Sequence, residues 1–230
     1  CAHSSECGIV ANNSNIAIEN SIFENNIDYA AELTDVTIQN YPGNSAIGNG
    51  IDGFAIGGTI SSDLIWTEST SSVIMVMVDD VYIQDDVTCT FAEGTIVKST
   101  TGGDFKVMGT IDVNGTAANP VIFTSMKDDT FGGDSNNDGN ATSPAAGDWG
   151  GYTNGIPDAN IYFDRSDQGH FNNSYCEYSY QNGLKAHETD IEIQNSTFTN
   201  NLDNAAYLDD MTIRNYPGNT ASGNGYDAFA

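Results

Sequence analysis

The sequence predicts an all-β chain wound as a right-handed parallel β-helix, a solenoid. Three observations carry that expectation: a long internal repeat, a shorter step nested inside it, and a period-two apolar pattern with almost no helical signal. Laying residues 1–55 on residues 176–230 needs a shift of 176 − 1 = 175 and no gap, and thirty of the 55 positions are identical. The run Asn25-Asn26-Ile27-Asp28 returns as Asn200-Asn201-Leu202-Asp203, and Tyr41-Pro42-Gly43-Asn44 as Tyr216-Pro217-Gly218-Asn219. Residues 1–175 therefore read as one complete repeat unit with an acidic loop at 126–151, and residues 176–230 as the first third of the next. Both ends fall inside a repeat, so the sequence leads one to expect a longer tandem array. Tandem units that bury their faces against neighbours are the mark of solenoids.

The two copies show which positions tolerate change within one molecule. Ile16, Ile18 and Asn20 recur as Ile191, Ile193 and Asn195, while Ala17 and Glu19 become Glu192 and Gln194. A period of two places the unchanged residues inward and the changed ones in solvent, as on a strand. Val36 with Ile38, Val81 with Ile83, Ile111 with Val113, and Met211 with Ile213 repeat the alternation, and the apolar run Val73 to Val78 reads as a buried strand. The strand centres Ile18, Ile38, Ile60 and Ile83 follow one another in steps of 20, 22 and 23, which suits the coil of a parallel β-helix with turns rich in Asn, Gly and Asp. Asn tolerates left-handed backbone angles, and stacked Asn side chains bond from coil to coil. Asn20, Asn40, Asn195 and Asn215 are the expected ladder. At ~4.8 Å per rung, about eight coils per unit would advance roughly 38 Å, less wherever a loop swells a coil. An antiparallel sandwich is the alternative, but it leaves the ~22-residue step unexplained.

Between residues 64 and 151 the sequence resembles the right-handed, pectate-lyase-like β-helix regions of large secreted and surface proteins of bacteria. The matching runs are Leu64-Ile65-Trp66, Val81-Tyr82-Ile83, Asp85-Asp86-Val87-Thr88, Gly94 to Lys98, Asn119 to Ser125, and Gly147-Asp148-Trp149-Gly150-Gly151. They cover under half the chain. The resemblance implies export to the cell surface or beyond and a stalk, fibre or adhesive role; it does not imply lyase activity.

Composition narrows the partners. Six Lys and Arg against 32 Asp and Glu give a formal net charge of -26, which disfavours nucleic acid and anionic membranes because both are bound by neutralising phosphates. No run approaches a membrane span. Neighbouring β-helix repeats of the same or an identical chain, and surface glycans, are the partners expected. The four cysteines form no CxxC pair; a Cys1 to Cys7 bridge and buried free thiols both remain open.

One stretch looks like a site. Asp134, Asn136 and Asp138 followed by Gly139 reproduce the first half of a calcium loop, in which oxygen ligands alternate and glycine permits the sharp turn. Asn140 would offer its backbone carbonyl. Ala145 occupies the place of the bidentate acid, so a complete EF-hand is excluded, and Asp128, Asp129 or Asp148 would have to finish the shell. The expected ligand set for Ca²⁺ is thus Asp128, Asp129, Asp134, Asn136, Asp138, Asn140 and Asp148; the alternative is a solvated acidic turn.

No catalytic residue is expected, and a carbohydrate-active β-helix, a polysaccharide lyase or hydrolase or a glycan-binding module, is the runner-up. The Asp pairs Asp79-Asp80, Asp85-Asp86, Asp128-Asp129 and Asp209-Asp210 read as turn residues rather than acid and base. Lys98, Lys106, Lys127, Arg165, Lys185 and Arg214 are scattered along the chain, whereas a polyuronate lyase needs clustered cations. His3, His170 and His187 make no evident site, and Cys89 reads as core. Tyr175, Tyr178 and Tyr180 form a candidate exposed row for stacking on sugars, with most other aromatics inside.

Overall fold

The structure, a computed structural model, describes residues 1–40, 42–66, 73–150, 152–153, 156–157, 159–165, 168–210 and 213–230. Gly151 and Met211 lie outside the described residues, as do the side chains of Ile38, Asn40, Ile213, Arg214 and Asn215. Among the described residues there are 26 strands and no helix. They form a parallel β-solenoid of about eight turns: a 14-stranded sheet runs along one side, a six-stranded sheet along another, two short parallel pairs continue the wall, and Tyr152–Thr153 pairs antiparallel with Ile156–Pro157. Pairing within both large sheets is parallel, which rules out the sandwich.

The period-two pattern becomes an alternation of burial. In the strand Thr88–Ala92 the inward residues are Cys89 and Phe91, in Thr110–Asn114 they are Ile111 and Val113, and in Asp190–Gln194 they are Ile191 and Ile193. Register stacks like on like, since Trp66, Phe91, Val113, Phe171 and Ile193 are successive partners across the six-stranded sheet. Edge-to-face packing then fills the bore: the ring of Phe91 lies 4.7 Å from Trp66, 5.6 Å from Phe105 and 5.2 Å from Phe123. A smaller apolar cluster, Ile74, Val76 and Met126, sits outside this bore, between the wall and the acidic loop.

Asparagine does tie coil to coil, and of the expected ladder Asn195 takes part, but the buried ties run through other asparagines. Asn26 is buried; its Nδ2 donates to Asn49 Oδ1 at 2.7 Å, and its Oδ1 accepts from Ser4 N at 3.0 Å. The next unit reproduces the arrangement: Asn201 Nδ2 donates to Asn224 Oδ1 at 2.8 Å, and Asn201 Oδ1 accepts from Ser179 N at 2.9 Å. Asn44 and Asn219 are a second matched pair, each Nδ2 donating at 2.8 Å to the backbone carbonyl of Ile18 or Ile193. Asn20 and Asn195 instead turn the corner, with φ of 46° and 51°. Their side chains are exposed, although Asn195 Nδ2 also reaches Asn172 Oδ1 at 3.2 Å.

Two spacings need correction. Ile38 pairs with Ile16, not Ile18, and Ile213 with Ile191, not Ile193, a step of 22 rather than 20, and a bulge just after Ile16 and just after Ile191 lengthens the next step to 23. The unit also contains fewer coils than its length implies. From Ala11 the partners run to Leu33 and Ile56, and along the same strand from Ile60 to Ile83, Val107, Phe163 and Ala186, which is the equivalent of Ala11 in the next unit. These are six steps, not eight, and the rise is roughly 29 Å at ~4.8 Å per coil. The step from Val107 to Phe163 is by far the longest because the acidic loop is inserted there.

Candidate metal centre

The strand Val121–Ser125 delivers the chain to the acidic loop. Asp128 turns it: the side chain is buried, Oδ2 accepts from Thr124 Oγ1 at 2.7 Å and Oδ1 from Thr130 N at 2.9 Å. Gly132 follows at φ 68°, where a Cβ would lie 2.8 Å from Ile74 Cγ2, so only glycine lets the loop close on the wall. A buried cation then fixes it. Lys98, fully enclosed on the strand Ile96–Ser99, donates from Nζ to Gly133 O at 2.8 Å and to Ser135 Oγ at 2.7 Å. Burial holds its pKa down to about 8, although the carboxylates of Asp128, Asp129 and Asp134 oppose the shift.

Beyond Ser135 the loop reaches back across the coils. Ser135 O accepts from Asp52 N at 2.9 Å, and Asn137 Nδ2 donates to Asn49 O at 2.6 Å. Farther on, Gly147 N bonds to Ser179 O at 3.0 Å. A single insertion is thereby pinned to residues that belong to well-separated coils.

Within it, Asp129, Asp134 and Asp138 each bring one carboxylate oxygen to within 4.8 Å of the others. The backbone holds the turn: Asp134 accepts from the N–H groups of Asp138 and Gly139 at 3.0 and 2.9 Å. Asp138 accepts from Asn136 Nδ2 at 2.9 Å and from Thr142 Oγ1, and these bonds, the Thr142 hydroxyl first, hold its carboxyl below the ordinary range. Asp129 Oδ1 and Asn136 Oδ1 are buried oxygens with no hydrogen-bond partner. A buried acceptor left unmatched is costly, and oxygens alone are the donors a hard cation takes.

The fold thus gathers Asp129, Asp134 and Asp138 of the expected ligand set and holds Asn136 against Asp138. Two others are committed elsewhere. Asp128 is spent on Thr124 and Thr130, while Asp148 pairs with Lys127 Nζ at 2.7 Å and accepts from Ser125 Oγ and Ala145 N at 3.1 and 2.8 Å. Asn140 is exposed. Three carboxylates fit Ca²⁺ chemically but fall short of six to eight ligands, so the Asn136 amide oxygen would have to turn in and water complete the shell, and the affinity would be of the weaker kind.

The remaining candidates disperse. Asp86 and Asp210 sit at left-handed corners, φ 61° and 50°, which is turn chemistry. His170 stands 3.5 Å from Asp112, and His187 3.1 Å from Asp209. Cys89 and Cys176 are fully buried, and burial drives both thiols far above their usual pKa; Cys7 Sγ approaches Glu32 at 3.6 Å and Cys1 is exposed, with no bridge among the four. The expected tyrosine row does not form: Tyr178 packs partly against the core, and of the three only Tyr180 is exposed.

Glu177 provides a pH test. It is buried beside Thr199, whose hydroxyl bonds to it, and desolvation raises its pKa. A carboxyl whose folded pKa is raised stabilises the fold below its unfolded pKa and loses that contribution as pH rises through the folded value. Glu177→Gln is expected to raise the melting temperature at pH 7 and to leave it unchanged near pH 3, read from thermal melts at both.

No protein-family model, curated protein or solved structure matches this chain.

Proposed function

We propose that this chain is a structural segment of an extracellular tandem-repeat stalk, fibre or adhesin, in which the acidic loop is a calcium-set splint. The observation that supports it most is the equivalence of Asn26–Asn49 and Asn201–Asn224: the same coil-to-coil bonding is rebuilt one full repeat later. A continuous bore of stacked side chains gives axial stiffness, and the loop over 126–150 crosses several coils on its outside. The surface location rests on the resemblance to bacterial surface β-helices together with the charge of -26, which suits a solvated exterior.

Calcium would draw the orphaned oxygens of Asp129 and Asn136 to one ion with Asp134 and Asp138. Millimolar calcium added to metal-stripped protein is expected to raise the melting temperature and to slow proteolytic cleavage near Asp134, and Asp134→Ala is expected to lose both effects. Unchanged melting and cleavage on adding calcium would remove the metal from this reading. A compact scattering profile in place of an elongated one would remove the stalk.

A further inference from the structure

The lysines that look scattered in sequence are partly assembled by the fold. Along the 14-stranded sheet, Tyr82 pairs with Lys106, Lys106 with Tyr162, Tyr162 with Lys185, and Lys185 with Tyr207, one residue per coil. Their strand neighbours Val81, Phe105, Ile161 and Leu184 are buried, so the column points outward. Lys185 Nζ lies 5.0 Å from the ring centre of Tyr162 and Lys106 Nζ 6.0 Å from it, within cation–π range. Tyr82 and Tyr207 are each 38% exposed.

The repeat shows that the solenoid does not require this alternation. Lys185 and Tyr207 stand where the first copy has Val10 and Glu32, while the inward neighbours Ala11, Ala31 and Leu33 recur unchanged as Ala186, Ala206 and Leu208. The inner wall is kept, and the outer face is altered so that the pattern begun at Tyr82 continues over two more coils.

We infer that this column binds a linear, uncharged, β-1,4-linked glycan lying parallel to the solenoid axis. The tyrosines recur at every second coil, ~9.6 Å apart. An extended β-1,4-linked chain is a two-fold ribbon that turns the same face of its ring outward at every second sugar, and its two-sugar repeat is about as long as two coils. Pyranose faces rich in C–H stack on the exposed rings of Tyr82 and Tyr207, two such repeats apart, and the lysines that cover Tyr162 donate hydrogen bonds to hydroxyls between them. Charge decides between glycan classes. Asp104 already lies 3.4 Å from Lys106, and the two lysines of the strip sit on a chain whose net charge is -26. A polyanion would be repelled.

Calorimetric titration of the whole chain with cellohexaose tests this, with maltohexaose and a hexameric polyuronate as comparisons. Cellohexaose is expected to bind, and Tyr82→Ala and Tyr207→Ala to weaken it roughly tenfold each, the loss of one stacked ring. Tyr180→Ala, an exposed tyrosine outside the column, is expected to bind as the parent does. Thermal melts confirm that each variant folds. The proposal is overturned by absence of cellohexaose binding, by equal binding of the curved maltohexaose, by preference for the polyuronate, or by parental affinity in both column variants.

Discussion

Replacing Phe91 with alanine is expected to lower the unfolding free energy by about 3–5 kcal/mol, the usual loss when a buried aromatic side chain is removed and the cavity cannot collapse. Collapse is hard here because the void would be walled by other rings. Trp66, Phe105 and Phe123 all pack on Phe91; Phe105 and Phe123 are held in register by parallel pairing above and below, and Trp66 by its pairing with Phe91 itself. Moving one wall inward would break hydrogen bonds to two neighbouring coils. Phe91→Leu keeps much of the volume and is expected to cost less than half as much. Denaturant titration of both variants measures the difference; a loss under about 1 kcal/mol for alanine would mean that the bore repacks freely and is not the rigid stack described.

That stack was legible in the sequence because burial on a strand has a period of two, and the two copies separate Ile16 and Ile18, which are kept, from Ala17 and Glu19, which are not. The asparagines were harder. Asn20 and Asn26 recur equally well in the next unit, so recurrence cannot tell a left-handed corner from a buried bonding position. The distinguishing signal is the partner one coil on: Asn26 meets Asn49, and Asn201 meets Asn224, whereas Asn20 meets Gly43, whose lack of a Cβ makes room for it. The candidate metal centre divides the same way. Alternating oxygens from Asp134 to Asp138 announce a turn that one cation can collect, but nothing in the order of residues reveals that Lys127 claims Asp148 or that Thr124 claims Asp128. The Tyr and Lys column was invisible, because the loop stretches one of its steps, from Lys106 to Tyr162, far beyond the others.

Asn201→Leu is the polar counterpart of the Phe91 test and is expected to cost about 3 kcal/mol, since buried groups left without partners carry most of the penalty. The side chain is fully enclosed and every hydrogen bond it makes is to a different stretch of chain. Oδ1 accepts from Ser179 N; Nδ2 donates to Cys176 O at 3.1 Å and to Asn224 Oδ1 at 2.8 Å. Leucine fills the volume and removes the bonds to Ser179 N and Cys176 O, while Asn224 Oδ1 keeps only the backbone N–H of residue 201 at 3.0 Å. Asn201→Asp separates shape from bonding, because it keeps the acceptor for Ser179 and puts a carboxylate oxygen against two other acceptors. Desolvation and that repulsion raise the carboxyl's folded pKa. The sign of the pH effect follows: protonation restores a donor, so the variant approaches the parent at pH values below the unfolded carboxyl pKa and falls away as pH rises through the raised folded value. Melting curves from pH 3 to pH 8 read the gap directly. A gap that stays constant across that range would mean that Asn201 packs but does not bond, and the coil-to-coil tie would have to be assigned to the backbone alone.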